Sequence, residues 1–116
     1  MDNSNLYEKC FDLTYNKHDI PNAKKLAIQI IESGDNHAVP YICLSAILST
    51  EEDWLKCIEI SKIGLSYNNH PMLLNHIGHA YCQLNNIIEG LSYFKQGAEM
   101  GDKPCTDNYT FWLSKV

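Results

Sequence analysis

Helix-end signals recur along this chain at an almost constant distance. Residues that can cap the first turn of a helix, each followed by apolar residues at helical spacing, stand 34 and 33 residues apart at Asp19, Asp53 and Asn86. Residues that tolerate a left-handed backbone after a helix end follow with the same spacing, at Gly34, Asn68 and Gly101. This period constrains the fold more than any other feature, because a unit this small buries its apolar face only by stacking against a neighbour.

Each unit is predicted to contain two helices. Apolar residues recur three or four positions apart, as in Tyr41, Leu44 and Leu48. Pro71 and Pro104 stand where a new helix would begin, a place where a missing amide hydrogen costs nothing. No alternating pattern or hairpin turn marks a strand. The chain is therefore predicted to be all-α.

The third unit carries the pattern most clearly. Its large and small residues stand at Leu74, Ile77, Gly78, Tyr81, Gly90, Phe94 and Gly97. This arrangement resembles the tetratricopeptide repeat, a helix pair of about 34 residues. The second unit matches fairly, and the first departs at Phe11 and Ile30, where small residues are usual. The resemblance implies a single domain, 1–116, built as a right-handed α-solenoid of three tetratricopeptide-like pairs (about 4–37, 38–70 and 71–103) plus a C-terminal helix at 105–116.

Three glycines of the third unit indicate where helices cross. Gly78, Gly90 and Gly97 each cost about 1 kcal/mol of helix propensity relative to alanine. Such a cost is offset when a missing side chain lets two helices approach closely. We therefore expect tight crossings at these positions.

Composition excludes several classes of partner. The net charge of −5 comes from 14 acidic and 9 basic residues, and every basic residue is a lysine. Without arginine forks that bind phosphate at two points, nucleic acid is not an expected partner. No apolar run reaches about 18 residues and the opening residues do not resemble a signal peptide, so we expect no membrane partner and a cytoplasmic location. The five cysteines, without a C-x-x-C pair, are expected to be reduced and mostly buried.

In the tetratricopeptide fold the first helix of each pair lines a concave groove, and this resemblance implies the lining positions here. The first unit would contribute Asn5, Glu8, Lys9, Asp12 and Tyr15. The predicted partner-binding residues of the other two units are Val39, Ile42, Cys43, Ala46, Met72, Asn75, His76 and His79. Val39, Ile42 and Ala46 are apolar beyond what one packed face needs. They are buried between neighbouring helices or form a hydrophobic floor for a helical or extended partner segment, and the adaptable Met72 beside them favours the floor.

The histidines of the third unit raise the alternative of a metal-binding protein or an enzyme. His76, His79 and Cys82 are three residues apart, which spreads them over about 120° of the helix instead of stacking them as ligands. No zinc-ligand spacing, phosphate loop or nucleophile motif is present. We therefore expect no catalytic residues, no metal and no cofactor.

The function expected from these features is non-enzymatic binding of another protein, as an adaptor or chaperone. In size, acidity and layout the chain resembles the small chaperones of type III secretion, which hold an aggregation-prone subunit. A structural homo-oligomer is the other alternative. The apolar residues near the C-terminus, from Tyr109 to Val116, are too many for one helix face and suggest a homodimer through the C-terminal helix.

Overall fold

The protein is a curved stack of helices. The computed structural model describes residues 2–116, and within them it contains seven α-helices and no β-strand. The helices are α1 (Ser4–Phe11), α2 (Ile20–Glu32), α3 (Ala38–Thr50), α4 (Trp54–Tyr67), α5 (Pro71–Gln83), α6 (Ile87–Glu99) and α7 (Lys103–Leu113). A π-helical turn, Asp12–Asn16, continues α1. The all-α prediction is confirmed, and no helix of this segment is long and apolar enough to cross a bilayer.

Most of the predicted helix-end signals stand at helix ends. Asp19, Asp53 and Asn86 directly precede α2, α4 and α6. Asp53 accepts a hydrogen bond from the amide of Lys56 at 3.3 Å, which satisfies one free amide of the first turn of α4. The repeat spacing therefore marks where helices begin.

Histidines cap two of the first helices, which sequence analysis did not anticipate. His37 and His70, one repeat apart, precede α3 and α5. The Nδ1 atom of each accepts a hydrogen bond from the second amide after it, in Val39 and Met72, at 3.2 and 3.1 Å. Both rings therefore need a neutral Nδ1 acceptor to serve as caps.

The residues that follow the second helix of each pair adopt two different backbone conformations. Gly34 and Gly101 have φ angles of 87° and 83°, the left-handed backbone that their positions predict. The same prediction for Asn68 is wrong, because its φ is −143°. Asn68 is extended here, and its side-chain amide donates to the carbonyl of Asn36 at 2.7 Å, which ties the α4–α5 loop to the α2–α3 loop one repeat earlier.

The last helix begins earlier than the sequence predicts. Asp102 accepts a hydrogen bond from the amide of Cys105 at 3.1 Å, so α7 begins at Lys103 instead of 105, and it ends at Leu113. Pro104 lies in the first turn, as expected. Asp102 thus sets this start as an N-cap.

Helix packing separates the two faces of the stack. Each helix packs against the next one along the chain, and the first helices α1, α3, α5 and α7 also contact one another in a row. The molecule is elongated, with extents of 45 × 26 × 23 Å. We take the row of first helices as the concave face and the row of second helices, α2, α4 and α6, as the convex face.

Close crossings at glycine hold α5, α6 and α7 together. A Cβ atom added at Gly78 would lie 2.7 Å from the ring of Phe94 in α6. One at Gly90 would lie 2.5 Å from Sγ of Cys82, and one at Gly97 would overlap Sγ of Cys105 in α7. These contacts leave no room for a side chain, so the expectation of tight crossings is confirmed at all three positions.

We predict that Gly78→Leu destabilises the protein by about 1–3 kcal/mol, because the new side chain overlaps the Phe94 ring. Urea unfolding measures the change. Ser92→Leu, on the exposed side of α6, is the control and leaves stability nearly unchanged. If the overlap is the cause, Gly78→Leu should cost less stability in a Phe94→Ala background than in the wild type. Equal stability of Gly78→Leu and the wild type would contradict this packing.

Candidate concave binding surface

A groove of about 790 Å³ lies beside α1 on the concave face. Its lining combines apolar, acidic and basic side chains: Asn5, Tyr7, Glu8, Lys9, Phe11, Asp12, Asn16, Lys17 and Val39. Four of the first-unit residues implied by the resemblance, Asn5, Glu8, Lys9 and Asp12, are among them. The groove therefore begins at the first helix, and we call this space the α1 groove.

Aromatic rings give the α1 groove its apolar surface. Phe11 is 37% exposed, and its ring lies 4.5 Å from that of the half-buried Tyr15. Val39, at the start of α3, is half-buried and lines the same groove. Phe11 was noted in the sequence only as a departure from the repeat pattern. That departure, a large ring where a small side chain is usual, was the signal for it.

The π-helical turn shapes the far end of the α1 groove. The amide of Lys17 donates to the carbonyl of Asp12 at 2.9 Å, five residues back. The side chain of Asp12 accepts from Asn16 at 2.9 Å and pairs with Lys17 at 3.4 Å. These two bonds lower the pKa of Asp12, with Asn16 as the larger cause. The extra residue in this turn was not predicted, since apolar spacing does not distinguish it from an α-helical turn.

A second set of bonds holds α1 against the start of α3. The carboxylate of Asp35 accepts from Asn3 at 2.7 Å, from the hydroxyl of Tyr7 and from the amide of His37 at 2.8 Å. Partial burial opposes ionisation of Asp35, but these hydrogen bonds outweigh it and lower its pKa. The ring of Tyr7 also stacks on His37 at 3.9 Å. These contacts therefore fix α1, which forms one wall of the α1 groove, against the start of α3.

Two residues predicted to line the partner-binding groove are buried. Ile42 is 2% exposed, and Cys43 is fully buried. Ile42 belongs to a core cluster with Ala38, Tyr41 and Leu73 of α5, and Tyr15 packs against this cluster. Placing Ile42 and Cys43 on an open surface was therefore wrong. The helix that carries both residues, α3, packs between α1 and α5. Its apolar side chains are therefore buried in the contacts with both helices.

Cys43 is buried for the same reason. It belongs to the core cluster that contains Cys10 of α1. The nearby Cys43 thiol, together with burial, raises the pKa of Cys10. All five cysteines are free and buried, as their spacing predicts.

The other predicted residues lie on or near the concave surface. Val39, Ala46, Met72, Asn75, His76 and His79 are all partly exposed. The side chain of Asn75 accepts a hydrogen bond from Asn108 of α7 at 2.8 Å. His79 lies edge-on to Trp54, with ring centroids 5.4 Å apart. Asn75 therefore joins neighbouring helices in addition to facing the groove.

His76 lies between α3 and α5. Its Nδ1 is 2.6 Å from the hydroxyl of Ser45, which is fully buried. Burial lowers the pKa of His76 to about 4, and the nearby His79 and His70 contribute further. Burial also lowers the pKa of His79. Both rings are therefore held neutral near pH 7.

The histidines and Cys82 do not form a metal centre in the described chain. Cys82 is buried against Gly90, whereas His76 is bound to Ser45. Across residues 2–116 no three His, Cys, Asp or Glu side chains are grouped so that they could hold an ion.

The same fold occurs in a protein of known structure. A crystal structure of the Yersinia enterocolitica type III secretion translocator chaperone SycD (alternative dimer) superposes with a TM-score of 0.76. The match covers 96% of this chain and 85% of that chain, at 17% sequence identity. No protein-family model matches the sequence, and no curated protein matches it. The likeness shows that this chain has the helical-repeat fold of that protein.

We predict that the free energy of unfolding decreases as pH falls from 7 to 5, because His76 is held neutral in the folded state. A histidine whose pKa is depressed in the folded state stabilises the fold fully above its unfolded value of about 6.5, and this contribution is lost as pH falls towards about 4. Between pH 7 and pH 5 the loss assigned to this residue is about 2 kcal/mol. Urea unfolding at both pH values measures it.

His76→Gln is the test variant, because glutamine can keep a hydrogen bond to Ser45 but does not titrate. It should lose less stability than the wild type between the two pH values. His18→Gln, in an exposed turn, is the control and should behave as the wild type does. An equal pH dependence of the wild type and His76→Gln would show that His76 does not carry the effect.

Proposed function

We propose that this protein is a non-enzymatic chaperone or adaptor that holds an apolar segment of another protein on its concave face. The observation that carries the proposal is the α1 groove, in which the exposed Phe11 and the half-buried Val39 line a space of about 790 Å³. An apolar side chain of a partner would remove both from water. Partly exposed Ala46 and Met72 extend this apolar surface along α3 and α5.

The shape and charge of the α1 groove favour an extended or short helical segment. Glu8, Lys9 and the Asp12–Lys17 pair border it, so both signs of charge surround the apolar centre. A rim of this kind orients a partner while the apolar centre supplies most of the binding energy. The mixed rim favours a segment that carries both apolar and charged residues.

The fold shared with SycD supports the chaperone form of this proposal. That protein is a type III secretion translocator chaperone. By analogy, the partner of this chain would be a subunit that aggregates when its apolar segment is exposed. We also propose that the helix pairs are three tetratricopeptide repeats, since the close crossings occur at the small positions of that pattern.

The α1 groove can be tested with peptides from a phage-displayed random library selected on the purified protein. We expect selected peptides to carry apolar residues and to bind at least roughly tenfold more weakly to Phe11→Asp and Val39→Asp, because a charge replaces desolvated apolar surface. Leu55→Asp, at a side chain 72% exposed on α4, is the matched control and should bind normally. Fluorescence anisotropy measures the affinities, and circular dichroism checks the fold.

Two results would contradict the proposed function. One is selected peptides that bind Phe11→Asp and Val39→Asp as well as the wild type. The other is loss of binding in Leu55→Asp alone, which would move the site to the convex face.

A further inference from the structure

The convex face has an apolar groove between α2 and α4. Its volume is about 320 Å³. Its floor is aliphatic and is formed by Ile28, Ile31, Leu44, Leu48 and Ile60. Its rim is charged and consists of Lys24, Glu32, Asp53 and Lys56. We call it the convex groove.

One repeat further along, the equivalent place is filled by the chain itself. Lys62 stands 34 residues after Ile28, and Tyr81 and Tyr93 stand 33 residues after Leu48 and Ile60. The two tyrosine rings stack 5.7 Å apart.

Lys62 contacts both tyrosine rings. Its Nζ donates to the Tyr81 hydroxyl at 2.8 Å and lies 5.3 Å from the centre of the Tyr81 ring and 6.0 Å from that of Tyr93. Two stacked rings and a cation therefore occupy the groove between α4 and α6.

The convex groove lacks all three of these groups. Aliphatic side chains replace the lysine and both tyrosines, and Ile28 and Ile60 stay partly exposed in the groove. On its rim Lys24 pairs with Glu51 at 2.9 Å. Within residues 2–116, Glu32 and Asp53 have no ion pair. The groove is thus complementary to an aromatic ring accompanied by a cation.

The end of α7 presents such a pair. The ring of Phe111 is 53% exposed, and Nζ of Lys115 lies 4.8 Å from its centre. Trp112 lies perpendicular to the Phe111 ring at 5.2 Å, and Leu113 and Val116 are also exposed. An apolar patch of this kind commonly marks an interaction site.

Within one chain these two surfaces belong to different parts of the stack. α7 packs on α5 and α6, whereas α2, α3 and α4 form the convex groove. A contact between them therefore requires two molecules. Burying the Phe111 ring over the partly exposed Ile28 and Ile60 would remove apolar surface from water, and Lys115 would approach Glu32 on the rim.

We propose that the protein self-associates by placing the end of α7 of one copy, at Phe111 and Lys115, in the convex groove of a second copy. The two surfaces are unlike, so the contact is heterologous. The contact uses the convex face and leaves the α1 groove free. The test of self-association is therefore independent of the test of the proposed function.

Light scattering across a concentration series tests the association. The wild type should exceed the monomer mass as concentration rises. Phe111→Ala should shift this transition to at least roughly tenfold higher concentration, because it removes the buried ring. Ile88→Ala, at another exposed apolar side chain, is the matched control and should leave the transition unchanged.

A fluorescently labelled peptide of residues 103–116 tests the groove. It should bind the wild type, and the same peptide with Phe111→Ala should not. The Ile28→Lys, Leu48→Tyr, Ile60→Tyr variant carries the side chains that fill the equivalent groove and should not bind the peptide. Glu32→Lys, on the exposed rim, should weaken binding without a change in the core, which keeps the test decisive if the triple variant does not fold.

Three outcomes would overturn the self-association. They are a wild type that stays monomeric at every concentration, association that persists unchanged in Phe111→Ala, and peptide binding that both groove variants retain. The last outcome would mean that residues 103–116 bind another surface of the protein.

Discussion

Close approach of helices at residues without a side chain is the constraint on which the rest of this structure depends. Gly78 lies against the ring of Phe94, and Gly90 and Gly97 lie against Cys82 and Cys105. The first two contacts fix the packing of α5 on α6, and the third fixes the packing of α7 on α6. Because the first helices also touch one another, the stack curves and leaves one face concave. The concave face that carries the α1 groove follows from that curvature.

The two faces differ in what their grooves leave open. On the concave side, hydrogen bonds between neighbouring first helices, such as Ser45 to His76 and Asn108 to Asn75, occupy polar side chains that could otherwise face a ligand. Next to α1, the exposed ring of Phe11 lines the α1 groove. On the convex side, aromatic side chains fill one groove between second helices, whereas the preceding groove remains open. The candidate binding surfaces therefore lie where the side chains of one repeat differ from those of the next.

Much of the fold was predictable from spacing, whereas the candidate site was only partly so. The signals at Asp53 and Gly101 mark real helix ends, because capping and left-handed turns depend on a few neighbouring residues. Ile42 was misplaced because a position-by-position transfer from the repeat pattern ignores which helices lie on either side. The sequence held a corrective signal: α3 is apolar nearly all round, which is typical of a helix buried on several sides. The π-helical turn had no comparable signal, because apolar spacing does not distinguish it from an α-helical turn.

The central claim is that the concave face, at the α1 groove, binds a partner segment. Its most direct test is a ¹H–¹⁵N NMR titration of the protein with a peptide selected by display. We predict that the largest shift changes fall on the amides around Phe11 and Val39 and continue towards Met72, with small changes around Leu55 on the convex face. Large changes confined to α2, α4 and α6, with the amides around Phe11 unaffected, would contradict the claim.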